Sequence, residues 1–345
     1  MNNGVQDQKN RAVRMARGRL VLLMFTLVSI GGSIGWVAAS DLRPPAPPVV
    51  LPRNNAIRSG GYQFTNPLLI DSETSVPNPA LLPLKNKIYQ GTYDLLNNSQ
   101  VDNISFYFKD LTTGRWTGIN EGAIYDSASL LKVPLMIAYF KKAELDSTLF
   151  SQRIKYLGEP EDNKGIEFYN LKPGTEYTVG DLLDYMIVKS DNSAKDLLIN
   201  YLDKDFQNQV FKDLGMTIPD PNQQYQISPK QYALFFRLLY NATYLTDSDS
   251  EAALQMLSNS EYQDGLVAGV PSSTQVAHKF GQYGIPSGNG SGVGTWELHD
   301  CGIVYHPERP YLLCVMTRGE DLTKLSGLIK TASQITYQEV DSNFQ

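Results

Sequence analysis

The sequence predicts an α+β fold in which an antiparallel sheet is flanked by helices and carries an inserted all-helical lobe. Two observations predict it. Residues 104–119 hold two apolar runs around Thr112-Thr-Gly, the pattern of a hairpin, and residues 274–317 hold three further strand patterns. The segments between these two regions have helical spacing. Strands that helices separate along the chain therefore have to meet in one sheet.

Helices are predicted where apolar residues recur every three or four positions after a capping residue. The first spans residues 81–96, and its apolar stripe would bury Leu82, Ile88, Tyr89 and Leu95. The later helices cover residues 178–189, 193–201, 232–239, 251–257 and 322–340, with Thr178 and Ser193 as N-caps of the first two.

The last three strands are predicted at residues 274–280, 298–305 and 311–317. If Pro307-Glu308 is the turn between the last two, counting outward places Cys301 directly opposite Cys314. Cross-strand neighbours have Cα separations of about 4.5–5.5 Å, which overlaps the range of disulfides. We expect two buried thiols in contact, and a disulfide is the alternative.

Composition places the 345-residue chain among globular proteins, with 42% hydrophobic and 19% charged residues. The formal net charge is -6, and basic residues concentrate at the N-terminus, so the remainder is more acidic still and nucleic acid is not an expected partner. Neither the two cysteines nor the three histidines have metal-binding spacing. The sequence therefore predicts no metal site and no cofactor.

The sequence of the N-terminal part predicts that the protein is anchored in a membrane. Residues 1–19 form a basic tail, and residues 20–39 carry no charge over a length that spans a bilayer. The basic tail would stay in the cytoplasm, which places the following residues outside. A cleaved signal peptide is the alternative, since Val37-Ala38-Ala39 resembles a cleavage site. Residues 40–79 would form a proline-rich linker and extended segment, and residues 80–345 the folded domain.

A serine and a lysine in Ser129-Leu-Leu-Lys132 are the first candidates for chemistry. On a helix, residues three apart share one face, so the hydroxyl and the amine would be neighbours. A lysine in an apolar pocket has a lowered pKa and can take the proton of a serine nucleophile. Backbone N–H groups at a helix start can also stabilise an oxyanion. Taken alone, the pattern is more typical of a surface serine that caps a core helix.

Two further motifs follow in order, Ser190-Asp191-Asn192 and Lys279-Phe280-Gly281. Together with Ser129-Leu-Leu-Lys132 they resemble the three signature motifs of class A β-lactamases and penicillin-binding proteins, over a region from about Leu81 to the C-terminus. The resemblance implies a β-lactamase/transpeptidase-like fold and a membrane-anchored, extracytoplasmic serine hydrolase that opens β-lactam amides through an acyl-enzyme. Two alternatives stay open: a D,D-peptidase acting on cell-wall stem peptides, and a non-catalytic wall-binding module.

The resemblance also implies catalytic roles. Ser129 would be the nucleophile, Lys132 its activating amine, and Ser190 the group that passes a proton to the leaving nitrogen.

Four positions would bind the substrate by the same resemblance. Asn192 would hydrogen-bond the substrate's side-chain amide, and Lys279 would attract its carboxylate. Gly281 precedes Gln282, whose backbone N–H would complete the oxyanion hole with that of the nucleophile. Phe280 departs from the motif, which normally has a Thr or Ser hydroxyl for the carboxylate at this position.

A second departure concerns release of the acyl group. Class A β-lactamases use a loop glutamate between the second and third motifs to activate water. Here residues 214–229 contain no glutamate, and Asp220, Gln223 and Gln224 are the candidates for that task. The acidic run Glu159-Pro-Glu-Asp-Asn163 precedes Ser190 and so belongs to another part of the fold. The sequence therefore predicts complete acylation machinery and slow deacylation.

Overall fold

A five-stranded antiparallel sheet joins the two ends of the folded region, as the sequence predicts. Its strands are β1 Val101–Asp110, β2 Trp116–Ile119, β3 Val276–Pro286, β4 Val293–Val304 and β5 Tyr311–Gly319. Their spatial order is β2-β1-β5-β4-β3, so the first strand pairs with the last one along its length. Strand β3, which carries the third motif, is an edge strand of this sheet.

The structure is a computed structural model that describes residues 57–58, 63–65, 68–70, 76–97, 101–158, 171–220, 223–288 and 292–343. The predicted basic tail, anchor segment and most of the proline-rich linker lie outside the described residues. Among the residues described, no helix combines the length and apolar character needed to cross a membrane.

Helices cover both faces of the sheet. In chain order they are α1 Leu82–Asn97, α2 Lys132–Ala143, α3 Val179–Val188, α4 Asn192–Tyr201, α5 Lys204–Asp213, α6 Pro229–Tyr240, α7 Asp247–Ser258 and α8 Leu322–Asn343. Residues of α1 and α8 share one buried cluster with the sheet, and residues of α2 to α7 share another. The helical lobe is therefore inserted between β2 and β3.

Alternating side chains of the strands supply the two clusters. Along β1, Phe106 and Phe108 join the cluster with α1 and α8, whereas Tyr107 joins the cluster of the lobe. Along β5, Leu313 and Cys314 divide in the same way. This is the period of two that a strand with two buried faces requires.

Local signals placed most helix starts correctly. The Thr178 hydroxyl accepts the Asp181 N–H and the Asp181 carboxylate accepts the Thr178 N–H, so the predicted cap of α3 is confirmed. The next cap was wrong. Asp191, rather than Ser193, precedes α4 in extended backbone conformation, and its carboxylate accepts the Ala194 N–H at 2.8 Å.

One further expectation was wrong, and one helix was missed. Leu82 and Tyr89 are exposed on α1 by 52% and 46%, while Leu84 and Ile88 are buried, because the helix turns a narrower apolar face to the sheet than the sequence suggests. Helix α5 was not predicted at all. Its sequence is mostly polar, and only an Asp203 cap on the Phe206 N–H marks its start.

The strand register of the last hairpin is confirmed. Cys301 pairs with Cys314, and their Cα atoms are 3.9 Å apart. The two residues form a disulfide between buried side chains, so the expectation of two reduced thiols was wrong. Directly opposed positions on neighbouring strands bring the two sulfur atoms within bonding distance.

We expect reduction of the Cys301–Cys314 bond to lower the free energy of unfolding by about 2–3 kcal/mol, because the bond closes a short loop in the unfolded chain. Urea unfolding with and without reductant measures the effect, and mass spectrometry confirms reduction. The double variant Cys301→Ala/Cys314→Ala is the control and should not respond to reductant. Equal stability of the oxidised and reduced protein would contradict the prediction.

Candidate active site

Ser129 lies on a single 3-10 turn, Ala128–Leu131, that leads directly into α2. In this turn residues three apart are eclipsed, so Ser129 and Lys132 share a face, although the serine does not begin an α-helix. Ser129 is partly exposed and Lys132 is buried. Ala128 has φ 48°, a conformation that costs energy for a residue other than glycine and is common at functional sites.

Buried polar contacts hold the segment just before Ser129. The Asp126 N–H donates to Glu297 at 2.8 Å, and His299 Nε2 lies 3.0 Å from the Asp126 carbonyl oxygen. The Ser127 N–H donates to the Tyr225 carbonyl at 2.7 Å. Both Glu297 and His299 are fully buried on β4. The strained turn is thereby fixed from the sheet and from the segment that precedes α6.

Gly281 of β3 packs against the same turn. A Cβ atom at this position would lie 3.1 Å from Leu130 Cγ and 3.1 Å from the Ser127 carbonyl oxygen. These distances are tighter than most side chains tolerate, so glycine permits the close approach of the edge strand to the serine. The third motif therefore lies beside the first.

Lys132 Nζ contacts the second motif at three oxygen atoms. It lies 2.5 Å from the Ser190 carbonyl oxygen, 3.2 Å from Ser190 Oγ and 2.8 Å from Asn192 Oδ1. Ser190 has φ 55°, so the turn between α3 and α4 is also strained. This turn places a carbonyl, a hydroxyl and an amide oxygen around one buried amine.

Lys279 reaches the same serine from the sheet. Its Nζ donates to Ser190 Oγ at 2.8 Å and to the Phe280 carbonyl oxygen at 3.1 Å. Lys279 and Ser190 are buried. The Ser190 hydroxyl therefore lies between two lysine amines, one from α2 and one from β3.

Burial makes both amines easy to deprotonate. It lowers the pKa of Lys132 well below the ordinary value, and the charges of Lys279 and Lys195 act in the same direction, against Asp191 and Asp196. A neutral amine keeps two N–H donors and gains a lone pair. With donors directed to the Ser190 carbonyl and Asn192, the lone pair of Lys132 can take a hydroxyl proton.

Lys279 is the second amine whose pKa is lowered. Burial lowers its pKa to about 7, and the carboxylate of Asp300 acts in the opposite direction. Asp300 is fully buried on β4, where it contacts His278 Nδ1 at 2.8 Å and accepts the Leu266 N–H at 2.8 Å. His278 is thus bound to a carboxylate behind the site, on the neighbouring strand.

The model of the Beta-lactamase enzyme family matches residues 87–340 of this chain. The chain belongs to this family. The match covers the whole sheet, the helical lobe and all three motifs. The recognition of the family from its motifs is confirmed.

Solved structures with the same fold include PBP-A, at 22% identity and a TM-score of 0.62, over 75% of this chain and 97% of that one. They also include a class A β-lactamase from Mycobacterium abscessus, at 21% identity and a TM-score of 0.61, over 74% and 100%. A class A β-lactamase from Bacteroides cellulosilyticus has 19% identity and a TM-score of 0.63, over 75% and 99%. The α+β, β-lactamase/transpeptidase-like fold is confirmed. A search of curated proteins found no match.

The segment that would hold the family's loop glutamate lies next to the serine. Gln226–Ile227 pairs with Tyr125–Asp126, and Tyr225 accepts the Ser127 N–H, so residues 225–227 lie beside the segment that leads to Ser129. A cavity of about 530 Å³ opens there, lined by Asp126, Thr217, Ile218, Asp220, Gln223, Gln224, Tyr225 and Gln226. The acidic run 159–163 lies outside the described residues.

The sequence did not point to four side chains that support the site, three of them fully buried. Glu297, His299 and Asp300 lie on β4, and only the register of that strand against β3 brings them under the motifs. Tyr262 belongs to the loop before β3 and stacks on Phe280. Their spacing along the chain carries no motif, so the sequence holds no signal that could have found them.

We expect Lys132→Ala to lower the rate of acylation by a β-lactam ~10²–10⁴-fold, because the variant lacks the base that takes the Ser129 proton. The rate is measured with a labelled penicillin. The matched control is Lys204→Ala, which removes an exposed lysine that donates to the Ile199 carbonyl oxygen and should leave the rate unchanged. Comparable rates for the Lys132 variant and the wild type would contradict the assignment of the base.

The acylation rate should first rise and then fall with pH. Lys132 accepts a proton only when neutral, so the rate increases as this amine deprotonates. Lys279 donates to Ser190 as an ammonium and loses its charge above pH about 7, so the rate decreases there. Stopped-flow acylation between pH 5 and pH 9 measures both limbs. A rate that keeps rising through pH 9 would show that charged Lys279 is not required.

Proposed function

We propose that the protein is a membrane-anchored, extracytoplasmic serine hydrolase that opens β-lactam amides through an acyl-enzyme on Ser129 and deacylates slowly. The observation that carries this proposal is the pair of buried lysines on one serine hydroxyl, Lys132 and Lys279 on Ser190. Such a pair supplies one neutral amine and one proton donor at the same place.

Acylation then follows in a series of four proton transfers. Lys132 takes the Ser129 proton as Oγ attacks the amide carbon, and the N–H groups of Ser129 and Gln282 stabilise the oxyanion. The C–N bond breaks as Ser190 gives its proton to the leaving nitrogen. Lys279 replaces that proton from its ammonium group, at 2.8 Å from Ser190 Oγ. Lys132 then passes the proton that it took from Ser129 on to Lys279. Both amines thereby return to their starting protonation states.

The remaining groups orient the substrate. Asn192 is partly exposed beside Lys132 and would hydrogen-bond the amide of the acyl side chain. The positive charge of Lys279 would attract the substrate carboxylate. The close approach of Gly281 supports a narrow site in which the substrate lies against β3.

Deacylation has no comparable set of groups. Asp220 is the single carboxylate of residues 214–229, and its side chain is shorter than that of a glutamate. The loss of a positioned general base costs ~10²–10⁴-fold in the step it serves. The acyl-enzyme would therefore accumulate.

A D,D-peptidase acting on stem peptides is the second candidate. It uses the same acylation chemistry, and an acyl-enzyme that lacks a hydrolytic glutamate persists long enough for transfer to another nucleophile. Among the similar structures is an acyl-enzyme complex of a PBP-A mutant with penicillin-G. A non-catalytic wall-binding module is less well supported, because binding alone does not require a buried lysine with a lowered pKa three residues after Ser129.

The proposed location rests on two observations. Residues 20–39 have the length and apolar character of a membrane anchor preceded by basic residues. The disulfide between Cys301 and Cys314 supports a domain outside the cytoplasm, because disulfides persist in oxidising compartments.

We expect penicillin to give a burst close to one equivalent, followed by slow release. Mass spectrometry should find the adduct on Ser129, and Ser129→Ala should form none. Hydrolysis of a chromogenic cephalosporin at tens of turnovers per second, with no trapped adduct, would contradict the prediction of slow deacylation. Adding a D-Ala-D-Ala peptide separates the candidates, since a D,D-peptidase releases D-alanine from it.

A further inference from the structure

Phe280 occupies the motif position at which the family has a Thr or Ser hydroxyl, and the structure shows what its ring contacts instead. Lys279 Nζ lies 4.2 Å from the centroid of the Phe280 ring. The ring itself is buried, with 4% of its surface exposed. It stacks on Tyr262 with centroids 4.1 Å apart and an angle of 18° between the planes. The aromatic residue therefore faces the lysine of the site within the protein.

The contacts of Lys279 match the capacity of an ammonium group. Three N–H donors are available, and Ser190 Oγ, the Phe280 carbonyl oxygen and the Phe280 ring face are three acceptors around them. A cation near an aromatic face is attracted by the negative charge of the ring. Three acceptors thus hold the ammonium group, and one of them is the Ser190 hydroxyl.

We propose that Phe280, with its ring held by Tyr262, is a positioning residue that keeps the Lys279 ammonium charged and directed at Ser190. This inference rests on the proposed acylation at Ser129. It assigns to the aromatic stack a task that differs from contact with the substrate carboxylate, which is the role of the family's hydroxyl. It also means that Lys279 acts on the substrate carboxylate by its charge, while its N–H groups are bonded inside the protein.

Groups on several structural elements act in opposite directions on the protonation of Lys279. Burial opposes the ammonium form. The carboxylate of Asp300 on β4 favours it, and so does the Phe280 ring. His278 of β3 is bound to that same carboxylate. Removal of the ring takes away one favourable contribution and leaves Asp300 and the hydrogen bonds to Ser190 Oγ and the Phe280 carbonyl oxygen.

The decisive comparison is Phe280→Leu against Phe280→Tyr, which keeps the ring. In Phe280→Leu the falling limb of the pH profile of acylation should move about 0.5–1.5 pH units lower, which is the size of a desolvated cation–π contribution. Phe280→Tyr should keep the limb of the wild type. Tyr262→Leu, which leaves the ring but removes its stacking partner, should show a smaller shift in the same direction.

A second readout does not depend on activity. Folded Lys279 deprotonates near pH 7 and the unfolded residue near 10.5, so stability rises with pH between these values. In Phe280→Leu that rise should begin at lower pH than in Phe280→Tyr, as measured by thermal unfolding across pH 5–9. If Phe280→Leu fails to fold, Tyr262→Leu provides the same comparison with the wild type.

The outcomes separate the two proposals. A wild-type protein that is not acylated at Ser129 refutes the proposed function, and the stability profiles still decide the role of Phe280. Acylation of the wild type with equal falling limbs in Phe280→Leu and Phe280→Tyr refutes the positioning role alone. A lowered limb in both variants would also refute it, because the ring is retained in one of them.

Discussion

Two buried lysine amines share one serine hydroxyl, and the rest of the site depends on this contact. Removal of a charged amine from water costs several kcal/mol, at the order of magnitude known for buried ions. Lys132 and Lys279 offset part of that cost with hydrogen bonds to oxygen atoms, and the remainder lowers their pKa values. The desolvation that makes the arrangement expensive is what converts an ordinary lysine into a base at neutral pH.

The sheet makes that contact possible. Lys279 is on an edge strand, which can approach the helical lobe without another strand in between. Gly281 lets the same strand lie against the turn of Ser129. Because α2 to α7 lie between β2 and β3 in the chain, residues from both sides of the lobe converge at one sheet edge. The fold thus converts three separated motifs into one site.

Below the motifs, β4 supplies a layer of buried ionisable side chains. Glu297 and His299 hold the backbone before Ser129, and Asp300 lies behind Lys279. Arg318 of β5 donates to Glu297 and neutralises part of its charge. Buried polar groups of this kind are costly when they lack partners, so their mutual hydrogen bonds also fix the geometry of the strained turn above them.

The sequence by itself determined the α+β class, the family, the main strands and the motifs, because apolar periodicity and short-range spacing are local properties of the chain. It also determined the Cys301–Cys314 register, since counting from one turn suffices in a hairpin. The tertiary structure alone decided the redox state of that pair, the Asp191 cap and the exposure of Leu82. It alone placed Asp300, Glu297 and Tyr262 at the site, because their positions follow from cross-strand register and loop packing. Such contacts join residues whose separation along the chain has no fixed value, and no local pattern encodes them.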